Sequence, residues 1–217
     1  MLNFNKVPLN IEDEDSDNSS FYLAIADLMS GVLMVFALLF ITTLLQLQEA
    51  KEQLSQQRRI FVGELVGHLK GNEIDVKVNE ETGEVSVREA ILFDEGSAQL
   101  KPEGKAELSK FIPLYSQIIF SNPDFEREIS RVIIEGHTSS KGSYETNMEL
   151  SLMRSLAVTR YIFSEELQFP NKPELTPKIM AAGRGEIEAE PEYDNPSDRK
   201  VVFRFQFRGE NPISENP

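Results

Sequence analysis

One acid interrupts an otherwise apolar run. The stretch FYLAIADLMSGVLMVFALLFITTLLQL, residues 21–47, carries a single carboxylate, Asp27. At about 1.5 Å per helical residue, that side chain lies roughly 9 Å beyond Phe21. A charge in the middle of a bilayer costs about 3 kcal/mol or more, so intramembrane acids mark ion pathways. A carboxyl that gains and loses a proton as its surroundings change is what an ion carrier requires. Ser30, three residues on and nearly on the same helix face, adds a hydroxyl. The bland alternative is an interfacial acid: if lipid begins at Leu28, Asp27 stands among headgroups. Position alone leaves these two readings equal.

Other chemistry is scarce. The 217 residues contain no cysteine and only two histidines, His68 and His137, so neither a thiolate nucleophile nor a metal cluster is expected. There is no Ser-His-acid arrangement, no carboxylate pair at suggestive spacing and no phosphate loop; the chain is expected not to be an enzyme and to hold no cofactor. The formal net charge is −14, without a basic arm or lysine-rich stripe, which argues against nucleic acid as a partner.

These residues must be positioned by a small set of elements. Residues 1–20 read as an acidic, mobile tail (Glu12 to Asp15, then Asp17, opposed only by Lys6). Residues 21–47 are long enough to span a bilayer and lack the basic start and cleavage site of a secretory signal, so a single uncleaved anchor is expected. Residues 48–72 continue as a helical linker. Leu47, Ala50, Leu54, Phe61, Leu65 and Leu69 form an apolar stripe suited to a partner helix, and Gly71 and Asn72 end it. Residues 73–209 alternate strands at 74–78 and 85–92, a helix containing Pro113, a buried strand at 131–136, a helix from Tyr144, and strands KIMAAG and VVFRFQF. Phe93 and Leu100 are expected in the core, and His137 is either core or site wall. That order implies an α/β (α+β) sandwich with helices on one side of a mixed sheet; residues 210–217 form a loose tail. Charge alone leans toward an external N-terminus, because Lys51, Arg58 and Arg59 follow the anchor.

Four phrases narrow the function: FDEGSAQLKPEG (93–104), IEGHTSSKGSYETNMELSLMRSLAV (134–158), GRGE (183–186) and NPSDRKVVFRF (195–205). They resemble, in order, the OmpA-like peptidoglycan-binding domain, over roughly residues 74–208. The resemblance implies a periplasmic domain that grips the peptide stem of the cell wall. Arg154 has the bidentate fork to clamp a stem carboxylate, and Asn147 has both a donor and an acceptor. Asn147, Leu150 and Arg154 share a helix face, with Thr138 and Ser139 in the loop after the central strand. The family pattern there is Thr-Asp, its Asp pairing with the ammonium of the diamino acid. Ser139 hydrogen-bonds but does not neutralise, so a changed affinity or stem choice is expected. Asp198 and Arg199 match a late Asp-Arg pair, Arg199 serving either the ligand or the fold.

The whole arrangement is similar to the B subunit of flagellar-type stators (the MotB architecture): short tail, one helix with an early Asp, helical linker, OmpA-like domain. The resemblance implies that Asp27 carries the ion, protons being favoured over sodium, and that the chain pairs with itself inside a pentameric ring of a multi-span A-type (MotA/ZorA-like) subunit. It also implies that 46–70 acts in gating or dimerisation and that the N-terminus is cytoplasmic, overriding the charge bias. The sequence FYLAIADLMSGVLMVFALLFI, the acidic N-terminus and GHTSS are closer to the B subunits of Zorya anti-phage systems, which implies a motor serving defence. Swimming motility and a passive anchor or wall sensor without ion conduction are the alternatives.

Overall fold

The computed structural model describes residues 12–71, 74–190 and 194–208, apart from the side chains of 12–18, 51, 54 and 57. The expected tails at 1–11 and 210–217, the side chain of Leu54 and the stop at Asn72 lie outside the described residues. Two compact units divide the chain, Met1–Ser55 and Gln56–Pro217.

Helix α1, Glu12–Gly71, contains the whole apolar run, so helix already occupies the part of the acidic segment expected to be mobile. Ser19–Ala50 is long and apolar enough to cross a membrane, and its side chains are exposed along its length.

In the second unit the apolar stripe finds its partner inside the chain. Phe61, Val62, Leu65 and Leu69 are buried in the core. The Phe61 ring meets Phe205 and Phe125 edge-on, at centroid distances of 4.7 and 5.0 Å. This corrects the expectation that 46–70 presents a seam to another helix: from Phe61 onward its apolar face is spent on its own domain. The domain therefore starts at Gln56, inside the expected linker. Phe61→Leu keeps aliphatic bulk but removes the edge-on ring pairs, each worth about 0.5–1.5 kcal/mol. A loss of about 1–2 kcal/mol is expected in thermal denaturation of the full chain. An unchanged melting temperature would show that these turns do not belong to the domain.

Five strands form one sheet in the order β1-β2-β5-β3-β4: β1 Lys77–Val78, β2 Val85–Arg88, β3 Ile129–His137, β4 Ile179–Gly185 and β5 Lys200–Phe207. Among the described residues, β3 and β4 run parallel and the other pairs are antiparallel, so the sheet is mixed. The β1–β2 hairpin turns on Asn79, whose side chain accepts from the Glu81 amide, and on Gly83 at φ 76°. The second expected strand is shorter than its apolar pattern suggested: after Arg88 the chain turns into α2, Glu89–Leu92.

Helices α3 (Pro102–Ser121), α4 (Pro123–Glu128), α5 (Tyr144–Phe163) and α6 (Lys172–Leu175) complete the unit. Pro102 opens α3, where a missing N–H costs nothing, and Pro113 is carried inside without ending the helix. The core lies on one face of the sheet. Phe203 packs on Phe111 and Tyr115 of α3, Phe205 on Phe61, and Ile134 and Val132 pair beside them. On the same face α5 nearly touches the sheet: a Cβ on Gly136 would fall 2.0 Å from the Ser151 carbonyl oxygen. Only glycine permits that approach, and it brings the start of α5 against the loop that follows β3.

Candidate functional site

The second unit gathers its polar groups where β3 ends. Ser143 caps α5, its hydroxyl accepting from the Thr146 amide, so Asn147 falls in the first turns of that helix beside the loop. The buried Asn147 side chain donates to the Ser139 carbonyl at 3.2 Å and to the Glu186 carboxylate. The Thr138 amide donates to the Gly185 carbonyl at 2.9 Å, and the Gly185 amide to Ser151 Oγ at 2.9 Å. Asn147 thus ties the loop after β3 to the loop after β4. Its donors serve the protein itself. Leu150 is half-buried on the same helix.

Arg154 lies two turns further along α5 and is 2% exposed. Its Nη2 donates to Glu89, and its Nε donates to the Ser97 carbonyl at 2.9 Å; the guanidinium lies 5.5 Å from the Phe93 ring centre. Burial lowers its pKa, and Glu89 offsets part of that. Glu89 itself is buried at the start of α2. The pairing of Arg88 with Lys200 brings Glu89 alongside Arg199, whose carbonyl accepts from the Glu89 amide at 3.0 Å. Arg199 Nε also lies 3.0 Å from Glu89 Oε2, so two guanidinium groups converge on one carboxylate.

The outer end of this chain of charges reaches solvent. Arg199 also pairs with Asp194, and Lys141 stands 4.0 Å from Asp194 and 3.4 Å from Glu95. A hydrogen bond from the Ser139 side chain, together with Arg199 and Lys141, holds the Asp194 carboxyl below the usual aspartate range. Of the expected residues, then, Thr138, Ser139, Asn147, Arg154 and Arg199 come together, with Leu150 on the helix beside them. Arg154 is buried and pairs inside the protein with Glu89 and the Ser97 carbonyl, and the Arg199 edge is open.

A second network occupies the opposite face of the sheet. Glu135 and His137 project there from β3, both buried. Arg204 Nη2 donates to Glu135 at 2.5 Å, His137 Nε2 lies 3.7 Å from Glu135, and His137 Nδ1 lies 3.6 Å from Glu188. Burial alone would raise the Glu135 carboxyl, but His137 and Arg204 outweigh it and hold the group below the ordinary glutamate value. A depressed acid stabilises the fold above its unfolded pKa, about 4.3, and loses that contribution as pH falls through its lowered folded value. Glu135→Gln is therefore expected to melt a few degrees below wild type at pH 7, with the gap closing as pH falls below the ordinary glutamate value, about 4.3. A gap that stays constant with pH would remove Glu135 from the acid response.

Sequence reasoning missed Glu89, Asp194, Glu135 and Arg204. Glu89 and Glu135 had a signal: each shares strand parity with apolar neighbours (Val85 and Val87; Ile133), where an acid demands a partner. Asp194 had none.

In the first unit, Asp27 and Ser30 lie on α1 at i, i+3, but the Ser30 hydroxyl donates back to the Ala26 carbonyl at 2.7 Å. Thr42 and Thr43 likewise bond to the Leu39 carbonyl, at 2.9 and 2.8 Å.

Residues 92–202, just over half of the chain, match the model of the OmpA family. The chain belongs to the OmpA family. Its OmpA-family domain is 32% identical over 106 residues to outer membrane protein A of Escherichia fergusonii, a match covering 49% of this chain and 38% of that one. A similarity of wider extent takes in the apolar helix as well. The chain is 26% identical to Zorya protein ZorB of Escherichia coli ATCC 8739, over 92% of its own length and 93% of that protein's. It is 23% identical to a Zorya protein ZorB of Escherichia coli O139:H28, over 90% and 83%. Among solved structures, a MotB-like protein from Desulfovibrio vulgaris superposes with a TM-score of 0.55 at 19% identity, covering 75% of this chain and 99% of that one. That likeness speaks for the fold.

Proposed function

We propose that the chain is the B-type subunit of an ion-driven membrane motor of stator type, held to the cell wall by its OmpA-family domain and serving anti-phage defence. One observation carries this reading: a membrane-length helix with one early acid and an OmpA-family domain lie in a single chain, and the similarity to Zorya protein ZorB runs through both. A wall-binding domain by itself accounts for neither the anchor nor Asp27. The same full-length similarity favours defence over swimming.

In this reading Asp27 passes the ion, a proton, and Ser30 lines the same face. The acid needs company in lipid, supplied by a multi-span A-type subunit arranged as a pentameric ring and by a second copy of the chain. The chain sits in the inner membrane with its N-terminus cytoplasmic and the OmpA-family domain in the periplasm. There Thr138, Ser139, Asn147, Leu150, Arg154 and Arg199 form or brace the stem-peptide site. The chain performs no covalent catalysis of its own.

The test co-expresses the full chain with the A-type subunit. The two are expected to co-purify, the purified complex to be retained by isolated sacculi, and cells carrying the system to form fewer plaques. A chain that purifies alone and still protects would reduce the motor to a tether. A chain not retained by sacculi would remove the wall anchor.

A further inference from the structure

The stem peptide presents its diamino acid as a zwitterion, so a site that reads it needs an anion and a cation near each other and open to water. Building on the wall-binding reading above, we infer that Asp194, backed by Arg199, is the group that reads the ammonium of the diamino acid in this chain. Three observations carry this. The buried acid of the cluster, Glu89, already faces two guanidinium groups and is 6% exposed, out of reach of a ligand. The Asp194 side chain, in contrast, is 40% exposed. Ser139 occupies the loop position next to Thr138 and turns its hydroxyl to Asp194, so the carboxylate that position lacks arrives from the segment ahead of β5. Finally, Lys141 Nζ stands 4.0 Å from Asp194, too long for a tight pair, and 3.4 Å from Glu95. That ammonium marks where another could stand, and Glu95 gives Lys141 a place to retreat to.

The charges allow it. A carboxylate has about four acceptor positions, so Asp194 has room for Arg199, Ser139 and an incoming ammonium together. Arg199, half shared with Glu89, keeps donors for the ligand's α-carboxylate. Arg154 then serves as a positioning residue: it fixes Glu89, which fixes Arg199, which aims Asp194.

The experiment titrates the full-length protein in detergent with a soluble stem tripeptide ending in meso-diaminopimelate, and with the same peptide acetylated at its side-chain amine. Asp194→Asn is expected to weaken binding of the free-amine peptide about tenfold or more, the loss of a charge-assisted hydrogen bond. It should leave the acetylated peptide, already weak, unchanged. Ser139→Asp placed in the Asp194→Asn background is expected to restore part of the binding of the free-amine peptide, because the side chain at 139 is directed at residue 194 and returns a negative charge beside it. Equal binding of the free-amine peptide by wild type and Asp194→Asn would overturn the assignment, as would a loss of equal size for both peptides or a double variant that regains nothing. Wild-type protein retained by sacculi but blind to the tripeptide would also overturn it, leaving the wall anchor standing. Wild-type protein not retained by sacculi would take both readings down.

Discussion

On the proposed motor reading, Asp27→Asn is expected to abolish proton flux outright while leaving the protein assembled. Asparagine keeps the size and hydrogen-bonding shape of aspartate but has no exchangeable acid proton. In vesicles holding the chain with its A-type partner, proton flux should fall to the leak of empty vesicles, and plaque protection should be lost. Co-purification and retention on sacculi should match wild type, because the compact unit that carries the OmpA-family match, Gln56–Pro217, is separate from the one that carries Asp27. Asp27→Glu, which retains the acid one methylene further out, should keep partial flux. A fully active Asn variant would return Asp27 to the headgroup region and leave the chain a tether.

Arg154→Ala is expected to lower stability by about 3–5 kcal/mol, because removing one partner of a buried ion pair leaves the other uncompensated. Glu89 would keep Arg199, whose side chain is 25% exposed, so the lower end of that range applies. For a chain of this size the melting temperature should drop by roughly 10 °C. Replacing both Arg154 and Glu89 with methionine should cost less than the single alanine, since no charge is then stranded. An alanine variant melting within about a degree of wild type would show Arg154 to be a solvated clamp, free for ligand. The prediction also governs how wall binding is read. An Arg154 variant that fails on sacculi has lost the brace under Arg199, so its failure does not identify a ligand contact.

Much of this was legible in the sequence, and the pattern of success follows range. The apolar run, the lone acid, the capped and Pro-started helices and the buried central strand are written in local composition and periodicity, which a short window encodes. Where the pattern was ambiguous it misled: VSVREAIL reads as one strand, but the chain leaves the sheet at Glu89, where an acid would otherwise face the core. The stripe from Phe61 to Leu69 announced a helix face in need of a partner without saying whose.

The polar site divides along the same line. Thr138, Ser139, Asn147, Leu150 and Arg154 were recoverable because one loop and one helix carry them. Glu89 sits 65 residues from Arg154, and Asp194 stands far along the chain from Ser139; the registers of β2 on β5 and of β3 on β5, with the glycine-permitted approach of α5, bring each pair within bonding distance. The sequence alone determined which elements form and which side chains carry charge. Tertiary structure decided which of those charges neutralise one another in the interior and which stay exposed, because ion pairing depends on through-space distance and desolvation, and neither is a property of a local stretch of chain.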